Sequence, residues 1–402
     1  MRILWVKVGG LWPLNTGGRQ RTFNIVAALA RDHTVTLVTT HGAGDDPDGL
    51  ARRLIACRSV VSLPVISPKQ GTWRFAAALC RSWGSAAPVD VWRWRIPAVR
   101  RAIEAELASE RFDLVVADFL VSTPNVPLGR VPVVLFEHNV EHVIWKRLAE
   151  AEKRPWKRGP LEVEWRKMRR YEAWACAQTR RTIAVSELDR ATLAALAPGA
   201  DVCAVPTGVD TEYFAPNGHV ERAGSLVFTG SMDWFPNEDA VVHFVEAVLP
   251  RIRRELPHVA LTVAGRNPGP RLRALVAAAR VHVTGTVADV RPYLAEAAVV
   301  VVPLRIGGGT RLKIFEALAM GKAVVSTSIG AEGLPLVPGE HFLQADEPEE
   351  FARAVVSLLR SRPRRAAMGA AGRRLVEQAY SWPVVARAFE QRCLEVMESH
   401  AS

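Results

Sequence analysis

The stretch AVVVVPLRIGGGTRLKIFEALAMGKAVVST, Ala298–Thr327, decides the fold. It opens on a run of valines that stops at Pro303, the pattern of a strand buried on both faces. A glycine-rich loop, Leu304–Gly309, comes next. Helical spacing then runs from about Thr310 to Met320, halts at Gly321, and gives way to a second apolar strand, Ala323–Ser326. Strand, loop, helix and strand in that order make a βαβ unit, so the sheet is parallel.

The loop-to-helix junction also carries chemistry. Free N–H groups at a helix N-terminus attract anions, and the glycines let a ligand approach the backbone. Thr310 suits the N-cap. Arg311 and Lys313 oppose the helix dipole there, which argues for an external anion such as a diphosphate. Glu316, one turn on, suits vicinal hydroxyls such as those of ribose. The same residues also suit a solvated loop with a charged helix start.

Outward from this unit the alternation repeats. Ser225–Thr229, Val259–Ala264 and Val281–Thr284 read as further strands of the second half, with helices at Glu238–Glu255 and Arg271–Ala279. The first half offers strands at Arg2–Val8, Thr34–Thr39, Leu114–Ala117, Val131–Phe136 and Val202–Val205, and a helix at Arg19–Ala30. Both halves are Rossmann-like. Periodicity stops in PTGVDTEYFAPNGHVERAGS, Pro206–Ser225, which places a hinge at Pro206–Asp210. The expected division is 1–205, 206–382, and a closing helix in 383–402. No Walker GxxxxGK[ST] occurs and no GxGxxG follows the first strand, against a kinase or dehydrogenase.

Composition sets the remaining bounds. Of 402 residues, 49% are hydrophobic and 23% charged, enough for large buried cores. No apolar run has the length of a membrane span, and the N-terminus reads as a strand rather than a secretory signal. Five scattered cysteines without CxxC spacing point to a reducing cytosol, not to a disulfide frame or a zinc site. The net charge of +11 favours anionic partners, although an arginine-rich background gives the same balance. Eight of the twelve tryptophans lie between Trp73 and Trp174, many beside a cation, as in Trp156-Lys157. That pairing suits an anionic membrane surface, sugar stacking, or a solvated basic face with its tryptophans turned inward.

At these residues the chain resembles the retaining glycosyltransferases of family 4, which have the GT-B fold. The resemblance runs through PTGVDTEYFAP (Pro206–Pro216), LVFTGSMDWFPNEDAV (Leu226–Val241), LTVAGRNP (Leu261–Pro268), the opening stretch, and GAEGL (Gly330–Leu334). A subgroup of bacterial exopolysaccharide-type sugar transferases is the nearest in kind. The resemblance implies two Rossmann-like domains facing an interdomain cleft, a nucleotide-sugar donor in the second, acceptor binding in the first, and a last helix that crosses back. It implies neither cofactor nor metal, only a nucleoside-diphosphate sugar and a hydroxyl acceptor, with a lipid-linked one among the candidates, in a cytoplasmic enzyme at the inner face of the membrane.

Carried over by position, the resemblance makes His138, Arg311 and Lys313 catalytic. Glu316 falls on the second glutamate of the family's EX7E pattern; its first falls on Gly308, so backbone groups of Gly308, Gly309 and Thr310 take the donor contact. The usual Arg and Lys after the first donor-domain strand give way to SMDWFPN, Ser231–Asn237, leaving Arg266 and Lys313 to supply the charge. In NTGGRQR, Asn15–Arg21, Gly17 and Gly18 face the donor phosphate, while Asn15 and Arg19 join Glu137 and Asn139 of FEHNVEH on the acceptor side. A nucleotide-sugar epimerase of the same shape is the rival enzyme. A nucleic-acid-binding protein is the rival from another class, and no RNP, KH or zinc pattern supports it.

Overall fold

The structure, a computed structural model, describes residues 1–68, 72–216, 218, 220–232, 234–306 and 312–401; the side chains of 271, 278 and 399–401 are left undescribed. The chain forms two compact units, residues 1–207 with 385–401, and residues 208–306 with 312–384.

Among the described residues of the first unit, seven strands are β1 Arg2–Lys7, β2 Thr34–His41, β3 Ser59–Pro64, β4 Leu114–Asp118, β5 Val133–Phe136, β6 Arg181–Ala184 and β7 Val202–Ala204. Their order across the sheet is β3-β2-β1-β4-β5-β6-β7. Every pairing is parallel. The chain winds outward from β1 to β3, then returns to the other side of β1 with β4. Loops leaving the carboxyl ends of β1 and β4 therefore diverge and open a crevice.

Trp5 on β1 is fully buried and meets Phe136 edge-on, with centroids 5.8 Å apart. Phe389, from the final helix Trp382–Ala401, closes on both rings at 5.4 and 4.8 Å. Burying a phenylalanine of this kind is worth about 2 kcal/mol. Arg181 adds a polar anchor for the same helix, with its guanidinium 2.6 Å from Glu395.

The second unit holds β8 Ser225–Thr229, β9 Ala260–Ala264, β10 His282–Val283, β11 Val299–Val302, β12 Val324–Ser326 and β13 Leu343–Gln344. The order is β10-β9-β8-β11-β12-β13, again all parallel. The switch of direction falls between β8 and β11. All four valines of β11 are buried, as a central strand of a two-faced sheet requires.

The helix expected over Glu238–Glu255 is three pieces: Phe235–His243, a π turn at Phe244–Val248, and Leu249–Glu255. Pro250 has no N–H to offer Glu246, and the ladder widens just before it.

Candidate active site

The two switch points each carry a cluster of polar side chains. In the first unit the centre is Asp118, the last residue of β4, with no solvent exposure. Its Oδ2 accepts from Trp5 Nε1 at 2.8 Å and from Thr22 Oγ1 at 2.7 Å, and its Oδ1 lies 2.8 Å from His138 Nε2. Burial pushes this carboxyl's pKa up, but Lys7, His138 and the donors outweigh it and hold it below its ordinary value. Asp118 is therefore an anion and an acceptor.

His138 follows β5 and is almost wholly buried. Burial lowers its pKa to about 4 against the pull of Asp118. The imidazole is neutral at pH 7, and its carboxylate partner assigns the hydrogen to Nε2. Nδ1 is then a bare acceptor. It is buried, has no hydrogen-bond partner among the described residues, and lies on the Gly18 side, 3.6 Å from where a Cβ at that position would stand.

Phe119 covers one face of this ring. Its ring stacks on the imidazole at 3.8 Å and 10°, and Lys7 Nζ sits 4.3 Å from its centroid. Its backbone holds φ at 68°, a left-handed value that favours glycine. A Cβ on Gly18 would come within 2.5 Å of Phe119 Cζ, so only glycine lets helix Gly17–Asp32 begin under that ring.

The other first-unit expectations are placed as follows. Asn15 is exposed, one residue before Thr16, which caps the helix by accepting from Arg19 N at 3.4 Å. The Arg19 guanidinium binds Asp45 at 2.7 Å and the carbonyls of Pro13 and Gly9, which fastens the glycine loop. Glu137 departs from its expected role at the acceptor. Its carboxyl is enclosed and turned inward, and burial together with Glu172 and Glu141 drives its pKa well above normal. Its carbonyl instead receives buried Arg21 at 2.8 Å. Asn139 donates to Glu141 Oε1 at 3.2 Å and stays partly exposed.

In the second unit the connection after β8 and the first turn of the helix that follows it, Phe235–His243, are the organisers. Lys313 Nζ, from the helix Leu312–Ala319, donates to Asn237 Oδ1 at 2.7 Å, and Asn237 Nδ2 donates to Ser231 O at 2.9 Å. Arg266, after β9, donates to Ser231 Oγ at 2.7 Å. Both cations thus converge on Ser231–Asn237, where the sequence lacks the family's own pair. Gly265 permits this, since a Cβ there would stand 1.7 Å from Gly230 O. Glu316 is partly exposed, yet the protein around it pushes its carboxyl up to about 7, with Lys313 opposing. Gly308, Gly309, Thr310 and Arg311 lie outside the described residues.

The sequence reading named His138, Lys313, Arg266 and Glu316 but missed the residues that hold them. Asp118 was visible as an acid closing a valine-rich strand, LVVAD. Asn237 was visible inside SMDWFPN.

A family model of the Glycosyltransferase Family 4 matches residues 16–213, and one of Glycosyl transferases group 1 matches residues 223–361. The chain belongs to glycosyltransferase family 4. This glycosyltransferase shares its GT-B fold with solved structures over nearly its whole length. Sucrose-phosphate synthase from Thermosynechococcus elongatus aligns with a TM-score of 0.74 at 17% identity, covering 99% of each chain. TarM of S. aureus, solved with UDP among its ligands, aligns at 0.70 and 10%, covering 99% of this chain and 100% of that one. HepE of Anabaena, in complex with UDP and glucose, aligns at 0.66 and 13%, covering 98% and 99%. No curated protein sequence matches the glycosyltransferase.

Proposed function

We propose that this glycosyltransferase moves a sugar from a nucleoside-diphosphate donor to a hydroxyl acceptor with retention at the anomeric carbon, in the building of a surface polysaccharide or glycolipid. The observation that carries the reading is the convergence of Lys313 on Asn237 and of Arg266 on Ser231, two residues themselves hydrogen-bonded, beside the β8/β11 switch point. A diphosphate is the ligand that two fixed cations at such a crevice suit. UDP in HepE and TarM supports a UDP-sugar as the first donor to try.

In the reaction the C1–O bond to the β-phosphate breaks and a C1–O bond to the acceptor forms on the same face. The acceptor proton leaves with the departing phosphate. Negative charge grows on that phosphate as the bond stretches, and Lys313 and Arg266 stabilise it more than they stabilise the intact donor. No metal is needed in this account. In the first unit, Asp118 fixes the tautomer of His138, so that Nδ1 is an acceptor for a sugar hydroxyl, while the helix start at Gly17 and Gly18 offers backbone N–H groups. Asn15, Arg19 and Asn139 border the acceptor side in this reading.

Thermal-shift screening against UDP-, GDP-, ADP- and dTDP-sugars finds the donor, because binding raises the melting point by mass action. The stabilising donor is then incubated with and without a hydroxyl acceptor, and the product's anomeric configuration is read by NMR. A retained glycoside formed only with acceptor supports the proposal. Conversion of the donor alone to an isomeric sugar nucleotide would identify an epimerase instead.

A further inference from the structure

We infer that the helical hairpin Glu141–Ala151 and Pro155–Gln178, with the neighbouring helix Trp73–Trp83, is a docking surface for an anionic lipid bilayer. This inference stands apart from the donor chemistry above, because it rests on a different face of the first unit.

The hairpin is aimed by Glu172, which accepts from the backbone N–H of Glu141 at 2.7 Å and of His142 at 3.2 Å. The start of the first helix, just after β5, is thereby level with Glu172. From there back to Trp156 the second helix rises about 24 Å, at 1.5 Å per residue. The tip accordingly stands out from the carboxyl edge of the sheet, the edge that carries His138.

The exposed side chains of the hairpin and of the neighbouring helix are those of a membrane–water interface. Trp156 is 72% exposed and Trp73 77%. Trp156, Val163, Arg170 and Trp174 fall within about 40° of one another around the helix at 100° per residue, opposite the buried Met168. The Trp73–Trp83 helix lies alongside, joined by Trp83 Nε1 to Glu164 Oε1 at 3.1 Å and by Lys167 Nζ to Ser82 O at 2.8 Å. That helix has Arg74 and Arg81 and no acid.

Charge selects the occupant. Along Pro155–Gln178, the exposed cations Lys157, Arg158, Arg166, Arg169 and Arg170 face one partly exposed carboxylate, Glu162, because Glu164 and Glu172 are buried. A protein-binding patch loses charge at its centre, whereas here tryptophan and cation are interleaved, the arrangement that seats rings at headgroup depth and cations on lipid phosphate. No helix among the described residues is long and apolar enough to cross a membrane, so the contact is with the surface.

Flotation with phosphatidylcholine vesicles, with and without phosphatidylglycerol, tests this. The full chain is expected to float with the anionic vesicles alone, with a blue shift in tryptophan fluorescence, and to be released by high salt. W73A/W156A and K157E/R170E are each expected to weaken flotation at least about tenfold at an unchanged melting temperature. A wild-type chain that stays behind with anionic vesicles overturns the inference, as does flotation that ignores lipid charge or both variants. A dimer sealed through this face, broken by W73A/W156A and blind to vesicles, overturns it too.

Discussion

Lys313 Nζ and Asn237 Oδ1 lie 2.7 Å apart, which ties the helix after β11 to the first turn of the helix after β8 across the turning point of the second sheet. An ammonium left to itself on a four-carbon stem samples many positions; this bond holds one of them.

If that ammonium meets the leaving phosphate, Lys313→Ala lowers turnover by about 10²-fold, the scale of one lost preorganised charge. Asn237→Ala lowers it by about tenfold, because the charge remains but is no longer held. The double variant is expected to be no worse than Lys313→Ala, since Asn237 acts through the lysine. Steady-state kinetics on the three variants checks this. Multiplying effects would place Asn237 in a role of its own.

Glu316 gives nucleotide binding a pH dependence. Its carboxyl is half-ionised near pH 7, and a ribose hydroxyl is better held by the anion. The donor's Kd is expected to fall as pH rises from about 6 to 8 and then to level off. Glu316→Gln removes the slope. Calorimetric titration at several pH values measures it, and a wild-type Kd that ignores pH removes Glu316 from the contact.

His138 makes the fold acid-sensitive. The unfolded chain takes up a proton near pH 6.5, whereas the buried imidazole resists until about pH 4. Stability from this group is complete above pH 6.5 and is lost as pH falls towards 4, by about 3 kcal/mol in total. The buried carboxyls of Glu137 and Glu141 titrate in the opposite sense, so the informative quantity is the difference between the wild type and His138→Gln. Denaturant melts at pH 7 and 4.5 are expected to show the variant gaining on the wild type in acid.

Gly265→Ala destabilises the second unit by about 3 kcal/mol or more, because the new methyl meets the Gly230 carbonyl, which is backbone and cannot swing aside. A drop of several degrees in melting temperature is the expected reading.

Much of the architecture was legible because valine runs such as Val299–Val302 mark strands buried on both faces. Short or half-covered strands were not. β13 has two residues, and β6 opens on Arg181, which reads as a loop until its salt bridge to Glu395 is seen. The site divided in the same way. Lys313 and His138 stand beside recognisable motifs, whereas Asn237 lies 76 residues from its partner and Asp118 lies 20 from His138, separations that only the folded sheet closes. The inward turn of Glu137 was hidden because alternation along a strand end does not show which face of the next loop is covered.

The central claim is that a donor diphosphate docks at the β8/β11 turning point. A crystal structure of the glycosyltransferase with bound UDP tests it most directly. The account predicts a diphosphate oxygen within hydrogen-bond distance of Lys313 Nζ, with the Asn237 contact kept. A nucleotide seated elsewhere, with Lys313 still facing only protein, would contradict it.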